Sequence, residues 1–241
     1  ASAVENGVRI FLALPQGRAL TAAPVAEDAE WRSVHVAAGP ASQAGLPAQE
    51  RAGELWDVYR DLLRDGWVCD ARSYSTSFRV NLAKSSNKTV ADLHAITRSL
   101  PSTLALSFNL GYADIYPATS GKDLAAQYLM RKFGVDPEMC VSMGDDDNDL
   151  GLAAAVRHTY IPGFSADSVR EAVAADPAAF TVAETGGFVG TDELLGRIVV
   201  DFGHSSRRLG LSGLRPGVVF SGGALLLVGY AFVVRRRKRR R

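Results

Sequence analysis

Met143-Gly144-Asp145-Asp146-Asp147-Asn148-Asp149 is the stretch on which the fold turns. It follows an apolar run, 139–143, that reads as a strand, and it opens a helical stretch beginning near Asn148. A strand that ends in a polar turn and leads into a helix is the repeating unit of a parallel α/β sheet, and such sheets bind ligands beyond the carboxyl ends of their strands. Four carboxylates within five residues repel one another, so the turn calls for a cation or for raised carboxyl pKa values. Hard oxygen donors of this kind suit Mg2+, and the free N–H groups at the start of the following helix suit an anion.

Two other readings of this stretch fail at named positions. An EF-hand loop beginning at Asp145 needs glycine and glutamate where the chain has Leu150 and Val156. A Walker A loop ending in Gly121-Lys122 needs Ser or Thr, and an earlier glycine, where the chain has Asp123 and Tyr116.

Working outward, the 122–133 stretch reads as a helix stopped by Gly134, with Lys122 at its start. A cation there opposes the helix dipole and asks for an anionic partner, which a phosphate or the acidic turn would supply. Beyond the turn, strand 159–161 leads to a helix that Ser165 can cap. Strand 180–182, a glycine loop at 186–190 and a last helix capped by Thr191 follow. Upstream, Leu55, Val58, Tyr59, Leu62 and Leu63 have helical spacing, 78–82 alternates as a half-buried strand, 89–100 reads as a second amphipathic helix, and 104–110 and 113–116 read as strands joined at Gly111. Residues 13–50 are rich in Ala, Pro and Gly with weak periodicity and read as loop.

Gly111-Tyr-Ala-Asp114-Ile-Tyr-Pro117-Ala-Thr-Ser-Gly-Lys122, the Gly-Asp-Asp-Asp-Asn-Asp turn, Ile161-Pro-Gly-Phe-Ser-Ala-Asp167 and the 186–189 loop together resemble the haloacid dehalogenase superfamily, in particular its sucrose-phosphatase-like and Cof-like sugar phosphatases. The resemblance implies an α/β fold, a doubly wound parallel core sheet with an α+β cap inserted in it, and hydrolysis of a sugar phosphate through an aspartyl phosphate with Mg2+. It assigns Lys122 to neutralising the nucleophile and the bound phosphoryl group, and Asp145 to the metal. Asn148 and Asp149 would complete the metal shell or orient substrate and lysine, while Asp146 and Asp147 fall at variable positions. The family's nucleophile motif, Asp-x-Asp-x-Thr/Val, is not found in the sequence, and Glu5-Asn6-Gly7 is similar to a turn that follows it in the family.

On this reading residues 1–7 end a core portion that is otherwise missing, 8–106 form the cap and 107–203 the rest of the core. The core sheet is then expected to have an open interior edge, with phosphatase turnover near background. A non-catalytic phosphatase-like binding module, and a domain detached from a sucrose-phosphate-synthase-like glycosyltransferase, are the alternatives. Within the cap, Arg79 and Asn81 share one face of a strand and are candidates to meet the sugar or its phosphate.

Composition sets outer limits. Apolar residues make up 47% of 241, enough for a packed core. The formal charge of +1 hides an asymmetry, because residues 235–241 are all Lys or Arg and their removal leaves 20 basic against 26 acidic residues. That body has no basic footprint for nucleic acid. Cys69 and Cys140 lack metal-ligand spacing, and the four histidines do not cluster in sequence. Residues 204–216 read as a polar linker. The next 18, 217–234, carry no charge and would span roughly 27 Å as a helix, close to a membrane's apolar thickness. With the basic run after it, this segment reads as a single membrane-spanning helix near the carboxyl end; the positive-inside rule places that end in the cytosol and the body opposite, whereas a tail-anchored arrangement keeps the body in the cytosol.

Overall fold

The computed structural model describes residues 2–4, 9–13, 25–72, 74–109, 112–208, 217–221 and 224–228. Its strands are β1 (Ser2–Val4), β2 (Arg9–Ala13), β3 (Val25–Glu27), β4 (Cys69–Asp70), β5 (Phe78–Asn81), β6 (Leu104–Asn109), β7 (Tyr112–Pro117), β8 (Cys140–Met143), β9 (His158–Ile161), β10 (Phe180–Val182), β11 (Gly217–Ser221) and β12 (Ala224–Val228). Its α-helices are α1 (Ala29–Ser33), α2 (Glu54–Arg64), α3 (Val90–Ser99), α4 (Lys122–Phe133), α5 (Leu150–Ala154), α6 (Asp167–Ala175) and α7 (Gly187–Arg208).

Helix α4 has the bounds its sequence predicts. Ala125, Ala126, Leu129 and Met130 fall on one buried face, and Gly134 ends the helix with a φ of 63° that suits glycine. That face packs with Trp31, Cys140 and Leu152 in one cluster. Strand β8 divides its side chains between two layers, since Cys140 joins this cluster while Val141 and Met143 pack with Tyr160, Leu194 and Ile198 on α7's side. The first sheet is therefore covered on both faces. Its order is β10-β9-β8-β12-β11-β1-β2-β3. The β8, β9 and β10 strands run parallel, as expected, but β2, β3 and β12 are antiparallel to their neighbours, so the sheet is mixed.

The second sheet is antiparallel, β4-β5-β7-β6, with α2 and α3 on one face. Trp56, Tyr59, Leu93 and Ile96 pack there against Phe78, Val80, Ala113 and Ile115. Strands β6 and β7 belong to this layer, so it extends to Pro117, past the boundary at 106 that sequence alone gave. Residues 25–50 are not plain loop: they hold β3, α1 and three 3-10 turns.

Three expectations near the carboxyl end change. Helix α7 starts at Gly187, and the Thr191 hydroxyl bonds the Gly187 carbonyl (3.3 Å) inside it rather than capping it. The same helix runs through Arg208 into the expected linker. The expected membrane helix at 217–234 is, over its described part, the β11–β12 hairpin. An apolar run interrupted by Gly222-Gly223 carries a turn signal at its middle, and its backbone groups find partners in the sheet. β12 pairs with β8 and β11 with β1, so the hairpin fills the interior edge that was expected to lie open. No helix among the described residues is long and apolar enough to cross a membrane. Residues 229–241, and the Glu5-Asn6-Gly7 turn, lie outside the described residues.

Candidate functional site

The acidic turn follows β8 at its carboxyl end. Asp147–Asp149 form a 3-10 turn before α5, so the helix proper begins at Leu150 rather than near Asn148. Gly144 is required by space: a Cβ there would lie 2.5 Å from the Asp149 Cβ. This close approach brings the Asp149 carboxylate back over its own turn, where it accepts the Asp145 amide (3.2 Å).

Lys122, only 6% exposed, opens α4 beside that turn. Its ammonium donates to Asp149 Oδ1 (2.6 Å) and Asn148 Oδ1 (2.9 Å). The anionic partner that the lysine's position called for is thus the acidic turn itself. The pair is buried, with side-chain exposures of 4% and 9%, so each charge depends on the other far more than an exposed pair would.

Asp145 is held from a third loop. The Ser165 hydroxyl donates to Asp145 Oδ2 (2.7 Å), and the Ser165 amide donates to the Asp145 carbonyl (2.9 Å). From α6, the Ser168 hydroxyl donates to the Asp147 carboxylate. Sequence reasoning took Ser165 for a helix cap, yet α6 begins at Asp167 behind Ala166, and Ser165 instead anchors an acidic residue 20 positions earlier. The Asp146 carboxyl is raised from its ordinary pKa, first by burial and then by the negative charges of Asp147, Asp145 and Asp149.

The expected metal ligands divide by role. Asn148 and Asp149 serve the lysine, and both Asp149 oxygens accept hydrogen bonds, which leaves Asp145 as the expected ligand with a carboxylate oxygen that accepts none among the described residues. No three acidic, histidine or cysteine side chains converge as a metal cluster among those residues. Mg2+ commonly keeps several waters and takes one or two carboxylates plus substrate phosphate, and the hard oxygen of Asp145 fits that limited part.

The cap candidates lie elsewhere. Arg79 on β5 makes a two-pronged ion pair with Asp114 on β7 (2.6 and 2.9 Å) and stands over the Tyr112 ring at 5.0 Å. Asn81 is buried and accepts the Lys84 amide (3.1 Å). These bonds join the two residues to their own sheet rather than to Lys122. Asp114 and Tyr112 occupy the same polar face, as does Tyr116, whose phenol burial pushes upward, with the charges of Asp123 and Asp114 adding to the rise. The amide nitrogen of Asn148 is buried without a hydrogen-bond partner, a donor left over at the lysine's side of the turn.

Residues 68–163 match the family Sucrose-6F-phosphate phosphohydrolase. That stretch holds the Arg79–Asp114 pair, Lys122 and the whole acidic turn, and it stops short of Ser165. No curated protein sequence matches the chain. Among solved structures, the sucrose-phosphatase of Synechocystis, determined in complex with sucrose and phosphate, is similar at 15% identity and a TM-score of 0.57, over 80% of this chain and 71% of that one. A haloacid dehalogenase-like hydrolase of Bacillus subtilis aligns at 13% identity and a TM-score of 0.38, over 71% of this chain and 60% of that one. The trehalose-6-phosphate phosphatase of Aspergillus fumigatus aligns at 14% identity and a TM-score of 0.34, over 52% of each chain.

Proposed function

We propose that this chain, sucrose-phosphatase-like over residues 68–163 and folded in the manner of the haloacid dehalogenase superfamily, recognises the phosphoryl end of a sugar phosphate at Lys122 and the acidic turn. The observation that carries the reading is the buried Lys122–Asp149 pair, a cation fixed at the carboxyl edge of the sheet where α/β folds bind ligands. Lys122 meets the phosphoryl oxygens, and the free Asn148 amide nitrogen is a second donor for them. Asp145 would hold Mg2+, which when bound offsets phosphoryl charge against the carboxylates of the turn. Sucrose and phosphate in the Synechocystis structure support a phosphorylated disaccharide as the ligand class.

The reading assigns binding to this chain's residues and leaves turnover near background. The Asp-x-Asp-x-Thr/Val nucleophile motif is not in the sequence, and both acidic-turn partners of Lys122 are engaged in holding it. Favouring a binding role over hydrolysis, the same observation makes this reading that of a non-catalytic phosphatase-like module rather than of a turnover-competent phosphatase. Calorimetry of the full chain with sucrose 6-phosphate, sucrose and inorganic phosphate in Mg2+ tests both points, with phosphate release followed in parallel. Binding of the phosphorylated sugar in preference to sucrose is expected, without release. Equal affinity for sucrose and its phosphate would remove the phosphoryl assignment, and sustained release would remove the non-catalytic reading.

Membrane contact on this reading belongs to the basic run 235–241 rather than to a spanning helix. Each cation near an anionic lipid surface contributes about 1 kcal/mol, so co-sedimentation with phosphatidylserine vesicles should depend on that run and fall with salt.

A further inference from the structure

The described chain passes between its two layers twice. The first passage leaves α1, whose Trp31 packs with α4, and reaches Ala38 in the core of the second sheet. The second leaves β7 at Pro117 and enters α4 at Lys122.

The passages meet at His35. Its ring is wholly buried, edge-on to Trp31 with centroids 4.8 Å apart, and Trp31 in turn stacks on Tyr128 of α4 at 4.7 Å. His35 Nδ1 lies 2.9 Å from the Thr119 hydroxyl oxygen. That hydroxyl donates to the Val34 carbonyl (3.3 Å), so the proton shared with the ring belongs to Nδ1. Nε2 is then a buried acceptor with no hydrogen-bond partner. Each passage also makes hydrogen bonds of its own, within itself or to the neighbouring start of β6. Arg32 donates to the carbonyls of His35 (3.4 Å) and Gly39 (2.8 Å), and the φ of 72° at Gly39 suits glycine. On the other side, the Ala118 amide bonds Thr103 (2.8 Å), and both the amide and the hydroxyl of Ser120 bond Pro117 (2.9 and 2.7 Å). Two locally ordered segments are therefore linked by one threonine hydroxyl that takes a bond from His35 and gives one to Val34.

We propose that His35 and Thr119 form a clasp that makes the two passages open and close as one unit, so that the second sheet moves relative to Lys122 only when both release. The clasp follows from chain geometry and needs no ligand, so it can fail or stand independently of the sugar-phosphate reading. Its side chains suit a latch that releases. Thr119 is exposed and replaceable by water, while the ring behind it is backed by aromatic packing and stays in place.

Native-state hydrogen exchange on the full chain tests this through the amides of Ala38, Gly39, Ala118 and Ser120, which all carry backbone hydrogen bonds. In the unmodified chain the four share one opening. In Thr119→Val, exchange at both passages rises by roughly tenfold to a hundredfold, the worth of the two hydrogen bonds lost, while the Asp57 and Val135 amides keep their rates. Thr119→Ser, which retains the hydroxyl, restores the original rates. The proposal is overturned by a rise confined to 118–120, by no rise at all, or by an equal rise at Asp57 and Val135, which would mark general loss of stability.

Discussion

Replacing Lys122 with methionine removes the cation but keeps most of the apolar stem, so the cost isolates the charge. Asp149 is then left 7% exposed, with the Asp145 amide as its remaining donor among the described residues, and Asn148 loses its ammonium partner as well. Removing one member of a buried ion pair costs about 3–5 kcal/mol, and the amide's help places this case near about 3 kcal/mol. Asp149→Asn keeps the shape that Gly144 demands and leaves Lys122 its Asn148 bond, so it should cost about 2 kcal/mol. Applied together the changes leave no buried charge unpaired, and the double variant should lose less than the sum by about 2 kcal/mol. Against a domain stability of about 5–15 kcal/mol these differences are measurable. Urea unfolding followed by tryptophan fluorescence is suited to the task, because Trp31, Trp56 and Trp67 are all buried. A cost below about 1 kcal/mol for Lys122→Met, the value of an exposed pair, or an additive double variant, would show that the pair is not the buried unit described here.

Two further outcomes follow from the same geometry. His35 is held down to about 4 from 6.5, chiefly by burial and then by the Arg32 charge, so between those values the unfolded chain binds the proton that the folded chain refuses. Stability should therefore fall as pH drops through that window, by about 2 kcal/mol between about pH 7 and pH 5, and urea midpoints of His35→Gln should lose that part of the slope. Gly144→Ala places a methyl group 2.5 Å from the Asp149 Cβ and should cost about 1–3 kcal/mol, with lysine alignment at the site lost in the bargain, as a shifted Lys122 amine resonance would record.

The pairing of Lys122 with the acidic turn was legible in sequence because its parts are local. The acidic turn sits between one strand and one helix, and Lys122 heads a helix whose apolar spacing and flanking glycines mark both ends. A cation set against a helix dipole asks for a partner, and the nearest unsatisfied anions were in that turn. Contacts made through tertiary pairing were not legible. Arg79 reads as a free substrate ligand until β5 and β7 align it with Asp114, 35 residues away. Ser165 has the composition of a helix cap, and only the return of the β9 loop to the β8 turn gives its hydroxyl to Asp145. The apolar run at 217–234 satisfies the length rule for a membrane helix and the pattern of a paired hairpin equally, and what separates them is the backbone pairing offered by β8 and β1, which lie far away in sequence.

The most direct test of the central claim is the affinity of the full chain for sucrose 6-phosphate in Mg2+, compared between the unmodified protein and Lys122→Met at a urea concentration where both remain folded. A loss of roughly tenfold to a hundredfold is predicted, the value of a charge-assisted hydrogen bond to phosphate, with any affinity for unphosphorylated sucrose unchanged. Equal affinity of the two proteins for the sugar phosphate would contradict the account.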